Sequence, residues 1–255
     1  FEANNTDFAS WSGVGSFRTL SYDPGLLYFH TGINEEGDES GLFWDTNGSG
    51  SKVRVKDANI TSQNYIAPDG SSWSLSKATF RFDSDFYLGP NLDKVIFEGV
   101  NAISISSEGN VSIGKSLSGA VQFADSVAHL PGGTLLDGHD AHYGDDPLKG
   151  LRVGRGQMGG FSGSQGPGKG ASLGSSGASG VSGGGGSFAG EGGPGASGPS
   201  GITYGSGSLN VLIGGSGGGM GNLGEAAAGG GSIEILAEGD LIIQSGVKIS
   251  MNGGS

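Results

Sequence analysis

Short runs in which polar and apolar residues alternate recur along the chain, whereas no window carries apolar residues at i, i+3, i+4 and i+7 over three turns. Lys52-Val53-Arg54-Val55-Lys56 and Ala78-Thr79-Phe80-Arg81-Phe82 keep a period of two. So do Ile103-Ser104-Ile105, Asn110-Val111-Ser112-Ile113 and Ser232-Ile233-Glu234-Ile235. That period puts successive side chains on opposite faces of a strand, and Gly, Asn, Asp or Pro bounds each run. The pattern predicts an all-β protein.

A repeat narrows the architecture. Residues 103–113 align without gaps on residues 233–243, and both read I-x-I-x-x-E-G-[ND]-[VL]-x-I: a short strand, a tight glycine turn, a second short strand. Val247-Lys248-Ile249-Ser250 supplies one more strand beyond the second copy. Strands this short and this regular suit a β-solenoid, in which each group is one rung whose inward residues stack on those of its neighbours. The expected fold is a parallel β-helix, right-handed, with a jelly-roll-like β-sandwich as the alternative for the N-terminal half.

Two segments depart from the rung pattern. Residues 1–50 hold Phe8, Trp11, Phe17, Tyr22, Tyr28, Phe29, Phe43 and Trp44, and read as an aromatic N-terminal cap that closes the end of the stack. The other departure is glycine. Of 56 glycines, fourteen fall in residues 1–130 and forty-two in 131–255. From Gly174 to Gly201 every third residue is glycine except Ala189. Spacing by three is the period of the polyproline II helix. A collagen helix does not fit, because the run contains only Pro194 and Pro199 and Ala189 breaks the required glycine. A bundle of glycine-faced extended chains, joined by backbone contacts, fits better. The organisation expected is an aromatic-rich cap or β subdomain over 1–50, rungs over 51–130, a glycine-rich polyproline II-like or polyglycine II-like insertion over 131–231, and a further rung over 232–255.

Charge and composition exclude several classes. The net charge is −12 with only 13 Lys and Arg, so the cationic footprint needed for nucleic acid is missing. Cysteine is absent, which removes disulfide frameworks and thiolate metal sites. No apolar run approaches the roughly 20 residues of a membrane helix. The opening Phe1-Glu2-Ala3-Asn4-Asn5 reads as a trimmed start, and the chain is expected to be a piece of a longer polypeptide.

A group of glycine and strand positions carries a resemblance. Thr203-Tyr204-Gly205-Ser206, Gly214-Gly215-Ser216-Gly217-Gly218-Gly219, the run from Ala226 to Ile235, Gly239-Asp240-Leu241 and Ile249-Ser250-Met251-Asn252-Gly253-Gly254 follow one another in order. Over roughly residues 130–255 the chain resembles the glycine-rich parallel β-helix proteins of surfaces and secretions, adhesin-like bacterial ones included. The resemblance implies a right-handed parallel β-helix with its glycine-rich loop tucked against a rung. It speaks to architecture and location rather than to chemistry.

Candidate chemistry is sparse. Asp137, His139, Asp140, His142, Asp145 and Asp146 lie within ten residues. The carboxylates of Asp137, Asp140, Asp145 and Asp146 are the candidate calcium ligands, since carboxylate oxygens suit that ion; H-x-x-H with no third placed ligand is weak for zinc. The competing reading is a solvated acidic turn. The loop from Asn34 to Glu39 is a lesser calcium candidate or a charged hairpin tip. Asp83, Asp85 and Asp93 could line a polysaccharide-cleaving wall, but no basic partner recurs at rung spacing. Trp11, Trp44 or Trp73 could form a carbohydrate platform. Sequons begin at Asn4, Asn47, Asn59 and Asn110. Taken together, the expectation is a non-enzymatic structural or adhesive protein, secreted or at the cell surface. It would associate with itself, head-to-tail into a filament or layer, or with a cell-surface polysaccharide. The alternative is a carbohydrate-binding or polysaccharide-degrading protein (lyase or hydrolase) on the same scaffold.

Overall fold

The computed structural model describes residues 17–18, 25–33, 37–45, 50–89, 94–114, 117–118, 121–122, 128–130, 133–134, 152–153, 159–161, 165–170, 184, 186, 188, 190–195, 199–205, 211–219, 225–226, 228–245, 247 and 249–250. Within them every regular element is a strand and none is a helix. The chain runs through β1 (Phe17–Arg18), β2 (Leu26–His30), β3 (Gly41–Asp45), β4 (Val53–Lys56), β5 (Asn59–Ile66) and β6 (Ser72–Phe82). Next come β7 (Phe86–Leu88), β8 (Lys94–Glu98), β9 (Ala102–Ser107), β10 (Val111–Ile113) and β11 (Leu117–Ser118). Five short pieces follow: β12 (Val121–Gln122), β13 (Ala128–Leu130), β14 (Gly133–Thr134), β15 (Arg152–Val153) and β16 (Glu225–Ala226). The last strands are β17 (Ile233–Ala237), β18 (Leu241–Ile243) and β19 (Ile249–Ser250).

Parallel pairing dominates. β1, β7, β10 and β18 form one sheet in that order, with every neighbour parallel. β6, β9 and β17 are likewise parallel neighbours. β2 pairs in parallel with β8, β11 lies beside β8, and β11 pairs in parallel with β19. Antiparallel strands are added at the margins: β3 and β4 extend the sheet from β2, and β5 covers the outer edge of β6. Apart from the small antiparallel sheet β12–β13–β14, the sheets are parallel or mixed, and none closes.

The gapless repeat in the sequence becomes a register in space. Ile103 stands on Ile233, Ile105 on Ile235, Val111 on Leu241 and Ile113 on Ile243, so residues 130 apart in the chain are direct neighbours. A third copy, masked in the sequence by Ser84 at the turn glycine and by aromatic residues at aliphatic positions, lies beneath them. Ala78, Phe80, Phe86 and Leu88 stand under Ile103, Ile105, Val111 and Ile113. Side chains of one parity in all three copies point the same way, so the columns fuse into a single core. Phe80, Phe86, Leu88, Ile103, Ile105, Val111 and Ile113 are completely buried in it. Phe29 joins it from β2, its ring edge-on to Phe80 at 5.1 Å and tilted against Phe97 at 5.2 Å. Each such side chain contributes about 1.5–3 kcal/mol through burial, enough to hold even the three-residue strands β7 and β10.

The turns between these strand pairs are stacked as well. Asp85 Oδ1 accepts from the Asn110 backbone N–H at 2.8 Å and from Asn110 Nδ2 at 3.2 Å. Asn110 Oδ1 in turn accepts from the Asp240 N–H at 2.8 Å. Asp or Asn stands at this corner in all three copies, and the side chains of Asp85 and Asn110 each satisfy the amide directly above.

The two ends of the stack differ. At one end β3 and β5 lie antiparallel on the outer edges of β2 and β6. At the other, β17 and β18 are the outermost described strands of their sheets. There Leu241 and Ile243 are 47% and 46% exposed, although Val111 and Ile113 directly beneath them are at 0%.

Candidate functional site

Residues 159–230 contribute a glycine-rich layer whose described segments lie mostly outside regular secondary structure. Segment 212–219 lies at its centre. The Gly215 N–H donates to the Gly230 carbonyl at 2.7 Å, Gly217 to that of Gln165 at 3.0 Å, and Gly219 to that of Gly184 at 2.7 Å. A strand in a flat sheet has two neighbours, whereas this segment bonds to three. Such closeness requires the absence of side chains. A Cβ on Gly170 would overlap the Gly184 carbonyl, and one on Gly201 would overlap that of Gly168. Of the glycines phased by three, Gly186 and Gly201 press against backbone, whereas the out-of-phase Gly190 and Gly193 face open space.

Side chains of β5 and β6 clamp this layer to the sheets. Gln63 pairs with Leu75 and Tyr65 with Trp73, so these four residues share a face. Tyr65 Oη accepts from the Gly205 N–H at 3.0 Å, and Gln63 Oε1 from the Leu212 N–H at 3.2 Å. Trp73 meets Phe161 edge-on at 5.2 Å. Within the layer, Tyr204 Oη donates to the Gly214 carbonyl at 2.6 Å and its ring packs on Phe188 at 5.3 Å. Burial pushes the Tyr204 phenol well above its ordinary range, since the ionised form would have no water.

A cleft of about 210 Å³ opens where the layer meets the sheets, lined by Ser74, Leu75, Ser76, Val100, Asn101, Ala102, Gly159, Gly160, Phe161, Gln165 and Leu212. β9 begins at Ala102, opposite Lys77, so no β9 residue stands beside Ser74 or Ser76. Phe82 directs its carbonyl to the β9 side, where it accepts from the Glu108 N–H at 2.9 Å. By the two-residue period the backbone groups of Ser74 and Ser76 face the same side. The Lys77–Ala102 bridge takes the Ser76 carbonyl, which leaves the N–H of Ser76 and both groups of Ser74 facing the cleft. Its lining offers amides and one aromatic ring, with no charged side chain.

Charge is concentrated elsewhere, on the outer face of the β2–β8 pair. Lys52 Nζ bonds Glu98 at 2.8 Å and lies 3.7 Å from the centre of the Tyr28 ring. Burial, reinforced by Asp45 and Glu98, pushes the Tyr28 phenol up to about 12. Burial also holds the His30 imidazole below its usual value, against the pull of Glu98. His30 Nδ1 accepts from the Gly32 N–H at 3.1 Å, so this imidazole fastens the turn that follows β2.

Most residues singled out for chemistry lie elsewhere or do other work. Asp137, His139, Asp140, His142, Asp145 and Asp146 lie outside the described residues, as do Asp93 and Trp11. Among the described residues no three His, Asp or Glu side chains gather to hold a metal ion. Asp83 is exposed, and Asp85 belongs to the turn column. Trp44 is 1% exposed in the core, so it is no carbohydrate platform; opposite Leu27 in the β2–β3 pair, it takes the inward parity. Of the Asn34–Glu39 loop, Asn34, Glu35 and Glu36 lie outside the described residues, and Asp38 and Glu39 occupy a turn in which the Ser40 N–H donates to the Gly37 carbonyl at 2.9 Å. The cleft escaped the sequence reading because its walls come from four distant stretches of chain. No helix among the described residues is long and apolar enough to cross a membrane. Compared with protein families, curated proteins and solved structures, the chain matches none of them.

Proposed function

We propose that this chain is a segment of a right-handed parallel β-helix that serves as a stiff structural or adhesive element at an extracellular surface. The observation that carries the reading is the residue-for-residue stacking of 78–88, 103–113 and 233–243. Successive strand triplets β1–β2–β6, β7–β8–β9 and β10–β11–β17 visit the same three stacks in order, as turns of a helix do. Residues 119–232 enter as one insertion between β11 and β17, and the three-neighbour packing of 212–219 is that of a polyglycine II bundle. Glycine-faced chains then form a slab without bulk, and the rungs supply length.

Self-association in this reading runs through the end that bears β17 and β18. Head-to-tail continuation of every ladder is disfavoured because β3 and β5 already occupy the outer edges of β2 and β6. Two copies of this 255-residue segment meeting at their β17–β18 edges would cover Leu241 and Ile243 in both, as a further rung would in a longer polypeptide. Sedimentation velocity tests this. A concentration-dependent dimer is expected, abolished by Leu241→Lys with Ile243→Lys. A monomer at every concentration would remove the association. Electron microscopy of the native material tests the wider reading: rods support it, and compact isolated particles count against a structural role.

A further inference from the structure

We propose that the cleft between the β6–β9 edge and the glycine layer binds one ring of a neutral sugar. The inference is independent of the self-association reading, since it concerns a different face of the molecule. Size sets the first limit. At about 30 Å³ per water, 210 Å³ holds roughly seven waters, comparable to one sugar ring and too little for an extended peptide of several residues.

Shape sets the second limit. A peptide adding to the free edge at Ser74–Ser76 would meet Val100 and Asn101 at the start of β9, so the edge is a dead end. That end is firmly built: Asn101 Nδ2 donates to the Thr31 carbonyl at 2.6 Å, and Val100 accepts from the Gly159 N–H at 2.8 Å. Gly159 closes it further. Its φ of +79° and the 2.8 Å separation between an added Cβ and Ala102 Cβ both demand glycine.

Chemistry sets the third. With no charged side chain in the lining, an ionic ligand would give up hydration and find no counter-charge. A sugar hydroxyl both donates and accepts. The cleft offers both kinds of group: the backbone N–H and C=O of Ser74, the N–H of Ser76, and the Gln165 amide. The Phe161 ring, held edge-on by Trp73, provides an apolar surface for the C–H groups of a ring.

The test is a titration of the isotopically labelled 255-residue chain with methyl glycosides of glucose, galactose and mannose, followed by NMR. Methyl glucuronide and trialanine serve as anionic and peptide comparators. Expected is a dissociation constant in the millimolar range for at least one neutral glycoside, with shifts centred on Ser74, Ser76, Asn101 and Phe161. Phe161→Leu should weaken binding about fivefold or more. Gln165→Ala alters an exposed side chain, so it probes the site without threatening the fold, and it should weaken binding by a similar factor. The proposal is overturned if no neutral glycoside shifts these residues, if glucuronide or trialanine binds as tightly, or if both variants bind unchanged.

Discussion

From Ala78 to Leu88, and again from Ile103 to Ile113, alternate side chains fill the space between stacked strands. From Gly159 to Gly230, backbones approach one another because side chains are missing. The rungs gain stability from apolar burial, and eight apolar side chains of the 78–88 and 103–113 copies are completely buried. Among its described residues the glycine layer buries few apolar side chains, Tyr204 and Ile213 being the largest. It relies on backbone hydrogen bonds of about 1 kcal/mol net each, set against the high entropy that glycine loses on ordering. The two regions sit in one molecule because Gln63, Tyr65 and Trp73 lend the layer the side-chain anchors it lacks. The rungs should therefore be the thermodynamic base, with the layer as a dependent attachment that loosens first.

The largest test of that difference is Phe80→Ala. Phe80 is fully buried and packs on Phe29, so the change should cost about 3–5 kcal/mol. Both regions should then unfold together in a denaturant melt. A layer that survives rung unfolding would break the comparison.

Gly201→Val probes the opposite side. The new side chain would overlap the Gly168 carbonyl, with an expected cost of about 1–3 kcal/mol confined to the layer. Limited proteolysis should cut within 160–230 while the rung melting curve stays put. Gly193→Ala meets nothing within 4 Å and should change stability by less than about 0.5 kcal/mol. Equal effects from the two substitutions would mean that the layer is not close-packed.

Tyr204→Phe is a milder version of the same question. It deletes the bond to the Gly214 carbonyl and keeps the ring, so a loss of about 1 kcal/mol is expected, again local to the layer.

Alkaline pH distinguishes the regions most gently. The Tyr28 phenol is held near 12 in the fold against 10.0 for the free group. Its protonated form contributes stability that is fully present below pH 10 and fades as pH rises toward 12. Tyr28→Phe should flatten that decline in a stability-versus-pH series. An ordinary Tyr28 titration in the folded chain would show that the outer face of the β2–β8 pair is open to water.

Much of the rung region was legible in the sequence. A period of two is local information, and Ile103–Ile113 and Ile233–Ile243 match closely enough to align by eye. The copy at Ala78–Leu88 was not recognised, although its signal was present: apolar residues at 78, 80, 86 and 88 with Asp83 and Asp85 at the corner positions. Any side chain that fills the same column serves there, so Phe80 and Phe86 hide the kinship with Ile105 and Val111. Likewise, the glycine phase announced close packing but not which chains would touch, because a glycine carries no side chain to specify a partner.

The sequence by itself indicated an all-β chain. It placed strands near 53–56, 78–82, 103–105, 111–113 and 233–235 but not those at 26–30, 41–45, 59–66 or 94–98. It also showed that two segments 130 residues apart share one pattern. Those properties follow from side-chain periodicity and turn chemistry, which act over a few residues. Only the tertiary structure decided that the two segments stack in parallel with a third beneath them, that β3 and β5 cover one end, and that the cleft assembles from residues near 75, 101, 160 and 212. The physical reason is that backbone donors and acceptors are the same at every residue. Which strand edge meets which is chosen by the burial of whole columns of side chains, and that choice exists only once the chain has folded.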